Sequence, residues 1–208
     1  DQQIGRVLTT LEELGLAENT LVIYTADHGD LCGGHGLIDK HFVFYDELVR
    51  VPLILRWPAQ IAAGQQVAAF VCHAIDLAAT FCAAAGVERP ATFAGQSLLP
   101  LVGASDPLDA DRPPRTDIFA SYHGNQFGLY SQRMVRDRQW KYVWNATAED
   151  ELYHLATDPG ELVNLANHPS FVAELTRLRH RLVAWMEATH DPLLNAWTRE
   201  QLLQGRKV

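Results

Sequence analysis

The chain has 208 residues, with 17 Lys and Arg against 25 Asp and Glu, a formal net charge of −8. That balance argues against nucleic acid, which needs a basic face, and no apolar run approaches the roughly 18 residues of a membrane span. A hydrophobic fraction of 48% suffices for a core. The three cysteines have no metal-site or scaffold spacing and read mostly as free, packed side chains, which leaves redox compartment and localisation open.

The chain opens in a helical pattern, with Ile4, Val7, Leu8, Leu11 and Leu14 on one stripe and Gly15 as the stop. The Glu18-Asn19 turn leads into an apolar strand, Leu21-Val22-Ile23-Tyr24. Val51–Leu55 reads as a second buried strand, with Pro52 at its start, where a missing N–H is tolerated. An Ala-rich helix runs from Ile75 to Ala85, with Gly86 as its C-cap. His73 and Asp76 flank its start, and Asp76 reads as a capping or first-turn acid. Residues 103–117, rich in acids and prolines, mark a boundary, so the expected division is 1–105 and 106–208.

Beyond it, Ile118-Phe119-Ala120 reads as a strand, and Gln132–Val135 with Trp140–Trp144 as a hairpin around Asp137-Arg138-Gln139. A short strand at Glu151–Leu155 and a helix over Phe171–Met186 follow, the helix carrying Val172, Leu175, Leu178, Leu182 and Trp185 at helical spacing. In the second hairpin strand Trp140, Tyr142 and Trp144 alternate with Lys141 and Val143 and make one aromatic face. With Arg133, Arg136, Arg138 and Lys141 nearby, that face is open to reading as a stacking platform for bases or sugars. Packing against the 171–186 helix is the favoured reading, because a small antiparallel sheet needs a covered face.

The chemistry-bearing residues cluster after the first strand. Asp27-His28-Gly29-Asp30 follows it directly, with Gly33-Gly34-His35-Gly36 and Lys40 close behind. Open α/β sheets build ligand sites at strand carboxyl ends. Asp and His are ordinary ligands of a divalent metal, and a nearby lysine suits an anionic substrate. A plain polar turn explains an isolated Asp-His-Gly equally well; the strand before and the lysine after favour a metal–anion site.

At these residues the chain resembles the sulfatase family of the alkaline-phosphatase-like superfamily. Tyr24–Asp30 with Gly34-His35-Gly36 and Lys40 is similar to its second metal-binding segment, and Tyr45–Ile54 to its Y-E-E-x-x-R-V-P-L-I stretch. Gly95–Leu101 resembles its G-x-S-L-L-P-L segment. Downstream, Trp140–Val143, Glu151–Leu155, Asp158-Pro159-Gly160-Glu161 and Asn164-Leu165 resemble its C-terminal K-Y-x, E-L-Y-D-L and D-P-x-E-x-x-N-L signature.

The resemblance implies a fold: an α/β chain, the C-terminal part of an alkaline-phosphatase-like parallel-sheet domain, followed by a small antiparallel sheet packed on a C-terminal helix. It also implies what to look for elsewhere. Sulfatases attack with a formylglycine made from a Cys/Ser-x-Pro/Ala-x-Arg motif, which Cys32, Cys72 and Cys82 do not fit. Ser105-Asp106-Pro107-Leu108 fails it through Asp109, and the paired aspartates of the family's first strand are absent as well. The expectation is that the nucleophile and half the metal site lie upstream. Only two or three candidate parallel strands are present, where a doubly wound sheet needs several βαβ units.

The implied reaction is sulfate-ester hydrolysis. Asp27 and His28 match metal ligands, His28 standing where many members carry asparagine, and Lys40 matches the lysine that contacts sulfate and steadies the leaving alkoxide. The metal is calcium in most sulfatases. His suits manganese or zinc better, which keeps phosphonate-monoester or phosphodiester hydrolysis as the alternative; a non-catalytic binding fragment is the third. His35 either lines the substrate pocket or holds its own loop, and His123, in His123-Gly124-Asn125-Gln126, is a substrate-contact candidate. The expected partner is a small-molecule or carbohydrate sulfate ester, and an unpaired sheet edge makes a homo-oligomer possible.

Overall fold

A computed structural model describes residues 1–40, 42–104, 106, 113–124 and 130–205. These fall into two compact units, residues 1–27 with 51–115 and residues 28–50 with 116–208. Apart from Asp106, the Ser105–Asp109 stretch lies outside the described residues, as do Asn125 and Gln126.

In the first unit, α1 (Gln2–Glu13) carries the expected apolar stripe but buries none of it: Ile4, Val7 and Leu14 are exposed. Strand β1 (Val22–Thr25) pairs with β2 (Leu53–Arg56) from Val22↔Arg56 to Thr25↔Leu53. The two run antiparallel, where the sequence reading expects parallel neighbours. A parallel pair needs a crossover of a dozen or more residues, usually a helix. Among its described residues the intervening stretch offers only the four-residue α2 (Asp46–Val49) and a 3-10 turn at Gly34–Gly36. Helix α3 (His73–Ala85) ends as expected at a left-handed Gly86. Asp76 is fully buried and acts as the helix-start acid: its carboxylate accepts from the N–H groups of Cys72 and Gln96 and takes both Nη atoms of Arg115 at 2.7 Å. Thr80 Oγ1 accepts from Leu98 N–H, so α3 fastens the Gly95–Leu101 segment.

In the second unit, β3 (Ile118–Tyr122), β4 (Gln132–Arg136), β5 (Trp140–Asn145) and β6 (Glu151–His154) form an antiparallel sheet in chain order. Asp137 shapes the β4–β5 turn by accepting from Gln139 and Trp140 N–H. Helix α4 (Val172–Ala188) lays Leu175, Leu178, Leu182 and Met186 on the face made by Val135, Trp140, Tyr142, Trp144 and Leu152. The aromatic face is therefore core, not an open stacking platform: Tyr142 is 0% exposed. A further helix, α5 (Ala196–Gln204), has no obvious apolar stripe; Asn195 caps it by accepting from Thr198 N–H, and Leu202 enters the core.

The second face of this sheet is covered too. Every residue of β5 is buried, including Lys141. The cover is the segment from Phe44 to Asp46, which meets Lys141 and Arg136 from the side opposite α4.

Candidate active site

Asp27 closes the first unit two residues beyond β1 and is exposed; His28 opens the second and is half-buried. The Nδ1 atom of His28 lies 2.7 Å from the carbonyl oxygen of Gly29. With the proton on Nδ1, the ring donates to that carbonyl and carries its lone pair on Nε2, the arrangement of a metal-ligating imidazole. An imidazole so held is suited to be one ligand of a divalent cation. Among the described residues no group of three or more His, Cys, Asp or Glu side chains assembles around a common point.

Gly29 fixes where this segment runs. Its N–H donates to Leu48 O at 2.9 Å, and a Cβ at this position would lie 1.7 Å from Glu47 O. Only glycine fits against the backbone of α2 there. The loop then closes on itself: Asp30 accepts from Cys32 N–H, Leu31 N–H reaches Asp39 O, and Gly33 N–H reaches Leu37 O. The bond from Cys32 holds the Asp30 carboxyl below its ordinary value.

Three non-glycine residues in the loop have positive φ: Cys32 at 47°, His35 at 53° and Asp39 at 65°. Such backbone costs of order 1–3 kcal/mol each and persists only where surroundings enforce it. For His35 the enforcing contact is plain. Its ring stacks on Tyr45, centroids 3.5 Å apart and planes 6° from parallel. Its Nε2 is buried and has no hydrogen-bond partner among the described residues. Lys40 is exposed, and its backbone N–H donates to Asp39 Oδ1 at 2.7 Å. His123 follows β3, exposed, with its ring nitrogens 3.4 and 3.5 Å from Arg133 Nη2.

Sequence reasoning missed what anchors this loop. Lys141, fully buried, places Nζ 2.5 Å from Asp46 Oδ1, 2.6 Å from Glu161 Oε1 and 2.8 Å from Phe44 O. Glu161 accepts the Asp46 N–H at 2.6 Å, and Arg136 reaches Asp46 Oδ2 at 3.1 Å. Burial pushes the Asp46 carboxyl up, but Lys141 and Arg136 outweigh it and hold the group below its ordinary value. At Glu161 burial prevails over Lys141 and the Asp46 N–H, leaving its carboxyl raised. Asp46 and Lys141 stand 95 residues apart in sequence, in separate motif segments. The available signal was the lysine at position 141, set between the apolar residues Trp140 and Tyr142 of a strand. A second hidden pair joins Arg133 to Asp191, 2.5 Å from Nε to Oδ2, behind His123.

The rest of the downstream signature is also structural. Asp158 accepts from Leu162 and Val163 N–H, and Asn164 ties its loop to β6 through Leu152 N–H and Asp150 O. Between them Glu161 takes a positive φ of 53°, which turns its carboxylate toward Lys141.

The family model for the C-terminal region of N-sulphoglucosamine sulphohydrolase matches residues 33–188. An N-acetylglucosamine-6-O-sulfatase of Bacteroides thetaiotaomicron is 32% identical over 91% of this chain and 33% of its own length. A solved structure of a protein in complex with its substrate, D-glucosamine-2-N,6-O-disulfate, superposes with TM-score 0.81 at 31% identity, covering 92% of this chain and 39% of that one. The phosphonate monoester hydrolase of Agrobacterium radiobacter superposes with TM-score 0.80 at 28% identity, covering 91% and 39%. The fold is thus the C-terminal part of the alkaline-phosphatase-like architecture. The chain belongs to the sulfatase family, and it spans about a third of the length of the curated relatives it matches.

Proposed function

We propose that the complete protein is a metal-dependent sulfatase that hydrolyses sulfate esters of carbohydrates, with its nucleophile, a formylglycine, supplied by residues outside this chain. The observation that carries this is the family match over residues 33–188, joined to a structural relative whose substrate is a disulfated glucosamine. On this reading residues 1–105 complete the catalytic α/β domain and 106–208 form a small C-terminal subdomain, on which the loop 28–50 packs.

Asp27 and His28 would hold the divalent metal, calcium on family grounds, as two of its ligands. When bound, the metal supplies positive charge against the sulfuryl oxygens. Lys40 binds the sulfate and stabilises charge on the leaving alkoxide, where a fixed ammonium contributes most in a site shielded from water. His35 and His123 line the substrate side. The Asp27-His28 pair and the phosphonate monoester hydrolase neighbour support a second reading, phosphoester hydrolysis with manganese or zinc.

In the complete protein, Asp27→Ala and His28→Ala should each lower bound metal, measured by elemental analysis, together with turnover. Unchanged metal stoichiometry in both would remove the ligand assignment. Lys40→Ala should lose turnover while retaining metal; loss of metal with an unchanged rate per bound ion would reverse the roles.

A further inference from the structure

Lys141 and Glu161 lie in the sheet and the downstream loop of the second unit, yet among the described residues their side chains bond to the segment from Phe44 to Asp46 and to each other. Asp46 begins α2, whose Glu47 carbonyl sets the glycine requirement at position 29 and whose Leu48 carbonyl receives the Gly29 N–H. Tyr45, one residue before Asp46, carries the His35 stack, and its ring also meets Tyr153 of β6, tilted, at 6.1 Å between centroids. A continuous set of contacts thus runs from the buried ammonium to a strained histidine on the loop that also bears His28 and Lys40.

Energetics make this an expensive way to fasten a loop. Two fully buried ionic side chains each lose hydration, and replacing such a pair with apolar residues is often neutral or stabilising. Glu161 adds a left-handed backbone to the cost. What the ionic cluster provides over an apolar patch is direction: Lys141 Nζ addresses three oxygens at fixed distances, and Glu161 grips one backbone N–H. That fixes the rotation and register of Tyr45 and α2, where apolar packing would leave them to slide.

We propose that Lys141 and Glu161 are positioning residues for the reaction, acting through Asp46 and Tyr45 to hold His35 and its loop in the geometry used on the substrate. The proposal rests on the sulfatase reading and on the place it gives His35.

The test uses the complete protein and Glu161→Gln, an isosteric change that keeps an acceptor for Asp46 N–H but removes the charge facing Lys141. Amide exchange over residues 42–50 should accelerate about tenfold or more while that of 132–145 stays as in the wild type. Sulfate-ester kcat/KM should fall about tenfold to 100-fold, the scale of a small misplacement of a reacting group. In a His35→Ala background the same substitution should change kcat/KM by no more than about twofold, because the coupled route is already lost. Lys141→Met with Glu161→Gln, which removes one cation and one anion together, should show the same exchange pattern. A loss that multiplies with that of His35→Ala would overturn the proposal, as would wild-type activity in His35→Ala, or exchange at 42–50 rising only in step with 132–145. An inactive wild type would instead count against the sulfatase reading, and the exchange measurement would still report on the clamp.

Discussion

A methyl group at residue 29 would meet a carbonyl oxygen at 1.7 Å, a contact that no rotamer change relieves because Cβ is fixed by its own backbone and its partner is backbone. Gly29→Ala is therefore expected to cost about 1–3 kcal/mol or more of stability, as overpacking does, with activity falling further because His28 is the adjacent residue. Thermal unfolding and kcat/KM of this variant check it; a wild-type melting temperature would mean that the approach of α2 is not obligatory. That Asp27-His28-Gly29 follows a strand directly was legible, because the apolar run Leu21-Val22-Ile23-Tyr24 ends just before it. Lys141 was not legible. Alternation with Trp140, Tyr142 and Trp144 reads as a solvent face opposite an aromatic one, and nothing within a single strand says that a distant loop covers that face. Glu161 hid for a similar reason, since a glutamate after Asp-Pro-Gly has the composition of an ordinary turn.

At the scale of elements, the four-strand sheet and α4 were readable because period-2 and period-3.6 patterns are both strong there. Leu178, fully buried between α4 and the sheet, should cost about 2–5 kcal/mol when truncated to alanine, measured by denaturant unfolding. Helix α5 escaped notice because its burial rests on Leu202 and Thr198, too few residues to make a stripe. The antiparallel sense of β1 and β2 escaped because direction depends on how residues 26–52 return, which the strands themselves do not encode. Acid should loosen this second unit late. Burial acts against Asp46, Asp137 and Asp191, but their Arg or Lys partners and backbone N–H groups leave all three below the ordinary 3.8. A carboxyl whose folded value is depressed contributes stability above its unfolded value and loses it as pH falls through the folded one. Glu161, raised from 4.5 chiefly by burial, works oppositely: its protonation on acidification relieves a cost. The stability attributable to these groups should hold down to about pH 4 and fall below it. A decline beginning near pH 6 in a pH series of thermal melts would contradict that assignment.

For the whole molecule, the first unit leaves apolar groups outward: Tyr24 and Ile54, register partners in β1 and β2, are 46% and 60% exposed, and α1 shows Ile4, Val7 and Leu14. Exposed apolar surface on a two-stranded sheet favours association. The 208-residue chain by itself is therefore expected to sediment as a dimer or larger species, and a clean monomer in sedimentation velocity would count against this. Because the proposed nucleophile lies outside residues 1–208, the isolated chain should hydrolyse neither aryl sulfates nor phosphonate esters. The family and its C-terminal portion were legible because the four motif segments, from Tyr24 to Leu165, span most of the chain. The substrate was not, since no motif in the sequence identifies an alcohol. The central claim is met most directly by comparing, in the complete metal-loaded protein, kcat/KM for a 6-O-sulfated glucosamine with that for a phosphonate monoester. The sulfatase account predicts that sulfate release dominates and that Lys40→Ala abolishes it with metal still bound. Dominant phosphonate-ester hydrolysis, or no sulfate release from any sulfated sugar, would contradict it.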